Sequence, residues 1–262
     1  MADWPDALLA RIEDACLNAS APPQQRWLDG WLLRLQPGTA RRARCIHALG
    51  PGRLTLAARL ELAAAFYRQA ELPLIFRITP FTQPSELDAT LAQLEFQQVD
   101  RTHVLVSSLL SASTVQPLPA GYQWQPLAPA AFAEAIGALR DSPPAHRQAH
   151  AQRLQQAPIR HLGFVIRRDA DGRVVCCGQF AREEDLVGLY DVMTHADERQ
   201  QGWATLLCER MLSISSTKGA KTAYLQVDAN KNAALQVYRR LGFGDGYLYH
   251  YRQTIPSQNV GA

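Results

Sequence analysis

The sequence predicts an α/β protein with a mixed strand order, laid out as two halves of similar plan. Three observations carry this. The second half alternates strand and helix patterns, it combines a hairpin with crossover connections, and the first half repeats part of the same order. The 262 residues are 47% hydrophobic and 19% charged, a composition that folds into a packed globule.

A segment rich in small polar residues and proline, Ser111 to Gly121 with Pro117 and Pro119, divides the chain, and domains of 1–115 and 116–262 are expected. In the second half Phe132 to Arg140 reads as a helix. Phe164 to Arg168 and Val174 to Phe180 read as strands joined by the turn Asp169-Ala170-Asp171-Gly172. Leu186 to Thr194 is a third strand. Trp203, Leu206, Leu207, Met211 and Ile214 recur at helical spacing, which predicts a helix from Trp203 to Lys218 ending at Gly219. Ala223 to Val227 is a short strand, Asn232 to Leu241 a helix stopped by Gly242, and Tyr247 to Arg252 a closing strand.

In the first half, the helix Leu60 to Gln69, the strand Leu74 to Ile78, the helix Glu86 to Leu94 and the strand Thr102 to Val106 follow the order of Met211 through Arg252. Leu94-Glu95-Phe96 aligns with Leu241-Gly242-Phe243, as a tandem duplication would leave it.

Several functions are disfavoured from the start. No apolar run approaches the roughly 18 residues of a membrane span, and Met1-Ala2-Asp3-Trp4-Pro5-Asp6 lacks the basic and apolar regions of a signal peptide. A cytoplasmic monomer or homodimer without membrane contact is expected. A formal charge of +3 with dispersed arginines gives nucleic-acid binding no support, although the sign suits a small anion. Cys16, Cys45, Cys176, Cys177 and Cys208 have neither zinc nor disulfide spacing and read as buried thiols, and no metal is expected.

The most informative stretch is Asp191-Val192-Met193-Thr194-His195-Ala196-Asp197-Glu198-Arg199-Gln200-Gln201-Gly202-Trp203-Ala204. A strand runs into a loop that opens a helix, and Gly202 with the small Ala204 lets backbone amides approach a ligand. The unpaired amides and the dipole of such a helix start favour a phosphate, and Arg199 adds a charged donor.

Together with Tyr224-Leu225-Gln226-Val227 and Ala233-Ala234-Leu235-Gln236-Val237-Tyr238-Arg239-Arg240-Leu241-Gly242-Phe243 further on, this stretch resembles the GNAT superfamily of acyl-CoA N-acyltransferases, over Gly121 to Arg252. The resemblance implies a GNAT fold, tandem with a degenerate N-terminal GNAT-like domain. It implies transfer of an acetyl group from acetyl-CoA, as co-substrate, to a primary amine of a small-molecule or peptide acceptor. A non-catalytic acyl-CoA-binding sensor is the alternative. Arg199, Gln200, Gln201, Gly202, Trp203 and Ala204 would hold the coenzyme pyrophosphate, the backbone of Val192, Met193 and Thr194 would hold the pantetheine arm, and Tyr238 would protonate the leaving thiolate. Where the family has an asparagine seven positions before that tyrosine, this chain has Lys231, and Asn230 or Asn232 would take its place.

An amine attacking a thioester also needs a proton acceptor, because an alkylammonium with a pKa of about 10.4 is mostly charged at neutral pH. Asp191, at the strand end, is the candidate, and a solvated or arginine-paired strand residue is the competing reading. The resemblance also implies that Arg140 to Arg147, between the first two helices, shapes the acceptor wall. Tyr247, Tyr249 and Tyr251 share one strand face, lining that site or packing across the sheet. In the N-terminal half Pro51 removes an amide from Gly50-Pro51-Gly52-Arg53, and Leu91 stands where Tyr238 does, so this half is expected to bind no coenzyme.

Overall fold

In the computed structural model the described residues are 4–36, 40–108 and 115–254, so the linker positions Ser111 to Thr114 lie outside them. In chain order the elements are α1 (Asp6–Ala19), β1 (Gln25–Leu28), β2 (Trp31–Arg34), β3 (Ile46–Ala48), α2 (Leu56–Gln69), β4 (Ile75–Ile78), α3 (Leu87–Gln93) and β5 (Gln97–Ser108). There follow β6 (Tyr122–Leu127), α4 (Pro129–Leu139), α5 (Pro144–Gln156), β7 (His161–Arg168), β8 (Val174–Glu183), β9 (Leu186–Thr194), α6 (Trp203–Thr217), β10 (Thr222–Asp228), α7 (Asn232–Arg240) and β11 (Gly244–Gln253).

The chain forms two compact units. One, here the C-terminal unit, takes the chain up to Ala19, Val104–Val227 and Lys231–Gly246. The other, the N-terminal unit, takes Ser20–His103, Asp228–Asn230 and the chain from Tyr247. Each therefore incorporates segments from the opposite half of the sequence.

In the C-terminal unit the strand order is β5-β10-β9-β8-β7-β6. The pairs from β6 to β9 are antiparallel and β9 pairs β10 in parallel. Both faces of this sheet are covered, which is why its central strands are apolar at nearly every position. Phe164, Ile166, Cys176, Phe180 and Leu189 join Leu207, Cys208 and Met211 of α6 on one face. Val165 and Cys177 join Phe132, Ile136 and Leu154 of α4 and α5 on the other. The adjacent Cys176 and Cys177 thus enter different cores, and all five cysteines are buried thiols.

In the N-terminal unit the order is β1-β2-β3-β4-β11, with β4 bound antiparallel by His250 to Gln253. Trp31, Phe76 and Phe96 form an edge-to-face run within its core. Tyr247, Tyr249 and Tyr251 are buried here, with Phe81 on Tyr247 and the Arg77 guanidinium 3.8 Å from the Tyr249 ring centre.

The ends of α3 and α7 are built alike. Leu94 N–H donates to Thr90 O at 3.0 Å and Phe96 N–H to Leu91 O at 2.9 Å. Leu241 N–H donates to Val237 O at 3.1 Å and Phe243 N–H to Tyr238 O at 3.0 Å. The residue between is left-handed in both, Glu95 at φ 62° and Gly242 at φ 85°. This is the glycine-type helix stop, and Glu95 occupies it against its steric preference. Glu95→Gly is expected to stabilise the protein by about 1 kcal/mol, measured as a higher denaturant midpoint at unchanged slope.

Candidate functional site

The parallel ladder of β9 and β10 runs from Leu186 with Thr222 to Leu189 with Leu225. Both strands continue beyond this, β9 to Thr194, so the strands part and the β10-facing backbone of β9 is released. On its other side β9 carries a bulge. Gln179 faces Tyr190 and Cys177 faces Met193, which leaves Asp191 and Val192 together opposite Gly178. Asp191 is left-handed there, at φ 52°. A Cβ on Gly178 would stand 2.9 Å from Leu207, 3.1 Å from Met211 and 3.2 Å from Val192, so only glycine lets the bulge and α6 close over this point.

Beyond Thr194 the chain makes one short 3-10 turn, Ala196–Glu198, capped by the His195 side chain accepting Asp197 N–H. The β7–β8 hairpin braces it. Arg168 donates to the buried Glu198 at 3.0 Å and to Asp171 at 2.7 Å, and Arg173 donates to Asp197 at 2.6 Å. The loop then reaches α6 through two left-handed residues, Gln200 at φ 63° and Gly202 at φ 84°. No side chain caps α6, and a Cβ on Gly202 would meet nothing within 4 Å. An uncapped helix start facing open space, with Arg199, Gln200 and Gln201 exposed beside it, fits a phosphate group.

The other expected residues divide. Trp203 is buried against Tyr122, with ring centres 4.4 Å apart, so its backbone amide and not its indole faces the loop. Ala204 is partly buried in the first turn of α6. Val192, Met193 and Thr194 are partly buried along the released strand, and Thr194 Oγ1 lies 3.3 Å from Cys176 Sγ. Tyr238 is partly buried on α7 against Phe243. Burial pushes its hydroxyl pKa up, and the neighbouring Cys208 and Cys176 add to this, so it is a protonated donor at neutral pH. Asn232 is exposed in the first turn of α7, beside Lys231, and lines a shallow hollow with Leu235, Gln236, Arg239 and Arg240. Asn230 is part of the N-terminal unit, where its N–H donates to Asp228 at 2.8 Å.

On the α4 and α5 face, Asp191 accepts from Arg140 and from Gln179, both at 2.7 Å, and lies 3.4 Å from His150 Nε2. Burial alone would raise its pKa. His150 and Arg140 outweigh that and hold it well below the usual carboxylate range. The carboxylate is therefore ionised and arginine-paired. The expected acceptor wall also changes form: Pro144 to Arg147 are the first turn of α5, started by Pro143 and Pro144.

Sequence reasoning missed further groups on this face. His161 Nδ1 lies 3.1 Å from Ile159 O, and since a carbonyl only accepts, the ring donates there and leaves Nε2 as an acceptor. Its ring touches Tyr190, whose hydroxyl is 2.9 Å from that of Tyr224. A cavity of about 660 Å³ opens beside His161, lined by Leu127, Pro129, Leu154, Leu162 and Phe164. The available signal was His161 and Gln179 as polar residues inside apolar strands. Among the described residues no cluster is arranged to hold a metal ion, and no helix is long and apolar enough to cross a membrane.

Burial, aided by Arg153, lowers His161 to about 4 from the 6.5 of an exposed histidine. The unfolded chain then binds the extra proton between these values. Stability is expected to be insensitive to this group above pH 6.5 and to fall by about 3 kcal/mol as pH drops to 4. His161→Gln should flatten that part of the pH profile of unfolding. The buried, neutral His47 contributes a slope of the same sign in the other unit, which the variant leaves in place.

Comparison with known proteins agrees with this geometry. Residues 132–243 match the acetyltransferase (GNAT) family. The chain is 24% identical over 234 residues to the uncharacterized N-acetyltransferase YobR of Bacillus subtilis (strain 168), covering 87% of this chain and 91% of that protein. Its fold is shared with a GCN5-related N-acetyltransferase from Kribbella flavida, at TM-score 0.69 and 21% identity over 96% and 97% of the two chains. It is also shared with a tandem GNAT protein from the clavulanic acid biosynthesis pathway, at TM-score 0.62 and 16% identity over 79% and 73%. Residues 132–243, which hold the parted strands, the open loop and α7, are the segment that matches the GNAT acetyltransferase family.

Proposed function

We propose that this protein is an N-acetyltransferase that moves an acetyl group from acetyl-CoA to a primary amine of a small-molecule or peptide acceptor, within a ternary complex. One observation carries the reading. The strand that loses its parallel partner after Leu189 leads, through one short turn and a loop, into a helix start that is uncapped and open at Gly202.

The residues present fit the coenzyme. The amides around Gln200 to Ala204, with Arg199, would hold the pyrophosphate, and the released backbone of Val192 to Thr194 would hold the pantetheine arm. Bound there, acetyl-CoA supplies an acyl group activated as a thioester. The chain's own part is to orient the amine, to place N–H donors where negative charge develops, and to move two protons. Tyr238, with its raised pKa, is the proton donor to the departing sulfur. Asp191 is the acidic group at the acceptor side. Held ionised, it draws an ammonium in by charge, and its low proton affinity leaves the ammonium proton to solvent water. Asn232 is the better placed of the two asparagines for a coenzyme contact, being in the same unit as the loop. We also read 1–115 and 116–262 as two repeats of common descent, the first degenerate and the second catalytic.

Lys231, in place of the family's asparagine, favours a second reading as a non-catalytic acyl-CoA sensor. Thermal unfolding with acetyl-CoA and with coenzyme A tests what both readings share. A ligand at about 100 times its Kd adds about 2.7 kcal/mol, a rise of several degrees. No rise at millimolar ligand would remove the coenzyme site. Gly202→Asp, which adds bulk and negative charge in a left-handed position, is expected to abolish the rise. Tyr238→Phe separates the enzyme from the sensor: turnover should fall tenfold or more while the coenzyme-induced rise persists. Unchanged turnover would take Tyr238 out of the mechanism.

A further inference from the structure

The N-terminal unit contains a second anion cradle, and it is filled. Asp29 and Gly30, left-handed at φ 41° and 85°, form the two-residue turn between β1 and β2. From this tip the Asp29 carboxylate reaches the loop that precedes α2. Arg53 N–H donates to it at 2.9 Å and 2.8 Å, to Oδ1 and Oδ2, and Leu54 N–H donates to Oδ2 at 2.8 Å.

Behind the carboxylate lies Arg59, only 3% exposed. Its Nε is 3.9 Å from Asp29 Oδ2 and makes no hydrogen bond, while its Nη1 donates to Gly50 O at 3.4 Å. Gly52, at φ 72°, leaves the space the carboxylate uses: a Cβ there would stand 2.5 Å from Asp29 Oδ2 and 2.8 Å from Arg59 Nη1. The helix start itself is satisfied separately, because the Thr55 side chain accepts Ala58 N–H. The donors aimed at Asp29 are therefore loop amides and a buried guanidinium. The amides of Leu54 and Arg53 hold its pKa below the usual range.

Convergent backbone amides backed by a guanidinium are the donor set that binds phosphate oxygens as readily as carboxylate oxygens. In the C-terminal unit the loop before α6 is left open, with Gly202 facing free space. We propose that the Gly50 to Leu54 loop is a phosphate-class anion site permanently occupied by the chain's own Asp29 carboxylate, so that the N-terminal unit takes no second phosphate-bearing ligand. The consequence that one chain binds one coenzyme rests on the function proposed above. The anion site itself does not.

The test uses the full chain and inorganic phosphate, with sodium chloride at matched ionic strength as the control. Asp29→Gly keeps the left-handed turn and removes the resident anion. In chloride this variant should unfold several degrees below wild type, and phosphate at tens of millimolar should recover at least half of the loss. Its phosphate-specific gain should exceed that of wild type, in which only the loop before α6 is open. Asp29→Asn, which keeps the shape of the side chain and fills the cradle without charge, should show no gain beyond wild type. Equal gains in wild type and Asp29→Gly, or equal recovery in phosphate and chloride, would overturn the proposal. If Asp29→Gly does not fold in chloride, refolding in phosphate decides: recovery only in phosphate supports the site, and failure in both overturns it. Calorimetric titration of wild type with acetyl-CoA should give one site per chain, and two sites would overturn the proposal. No binding at all would count against the function proposed above, while the phosphate comparison would still decide the cradle.

Discussion

The parting of two parallel strands governs the C-terminal unit. A parallel pair has evenly spaced, slanted bonds and continues as long as both strands keep their alternation. Here β9 cannot keep it, because two of its residues share one partner opposite Gly178. The extra residue reassigns faces. Asp191 goes to the α4 side with Arg140 and Gln179, while Val192 packs with the α6 core. A single local irregularity thus releases backbone donors, aims a carboxylate at one face and keeps the other face dry. Gly178 is the residue that makes it sterically permissible.

The two helix starts show how one local plan takes different side-chain chemistry. Thr55 caps α2 and Asp29 fills its preceding loop. At α6 neither occurs, and the hairpin beside the loop sends arginines instead of a carboxylate. Arg168 and Arg173 grip Glu198 and Asp197, acids on the loop's outer turn, and leave the amides that follow free. Rigidity of the loop and vacancy of its donors are therefore supplied by different residues, which is what a preorganised anion site requires.

Much of this was legible in the sequence where a local rule had a single outcome. The strand from Leu186 to Thr194 and the helices starting at Trp203 and Asn232 follow from periodicity and stop signals, and their observed limits agree within a residue or so. The likeness of Leu94-Glu95-Phe96 to Leu241-Gly242-Phe243 was legible, but that both are helix stops, with Glu95 in place of the glycine, came from the backbone. Short strands such as β1, β2 and β3 were not, because three or four residues do not establish a period. Nor was the partner of Asp191. Arg140 is 51 positions away, and only the tertiary packing of α4 brings it within 2.7 Å. The role of Asp29 was hidden for the same reason. An Asp-Gly pair signals a tight turn, and nothing in the pair says that the side chain reaches another loop.

The exchange of segments between the two units has a consequence for how the molecule is made. One edge of β4 is bound by β3 and the other by His250 to Gln253, and the C-terminal unit draws α1 and Val104 onward from the first half. During synthesis the N-terminal unit must wait, with one edge of β4 bare, until His250 to Gln253 have emerged. Its closure therefore carries the entropic penalty of a very long loop and a period in which an unpaired strand is available to wrong partners. Assembly of the two units is in this sense mutual: neither can be completed as an autonomous fragment of contiguous sequence, and changes that delay one should slow the maturation of both.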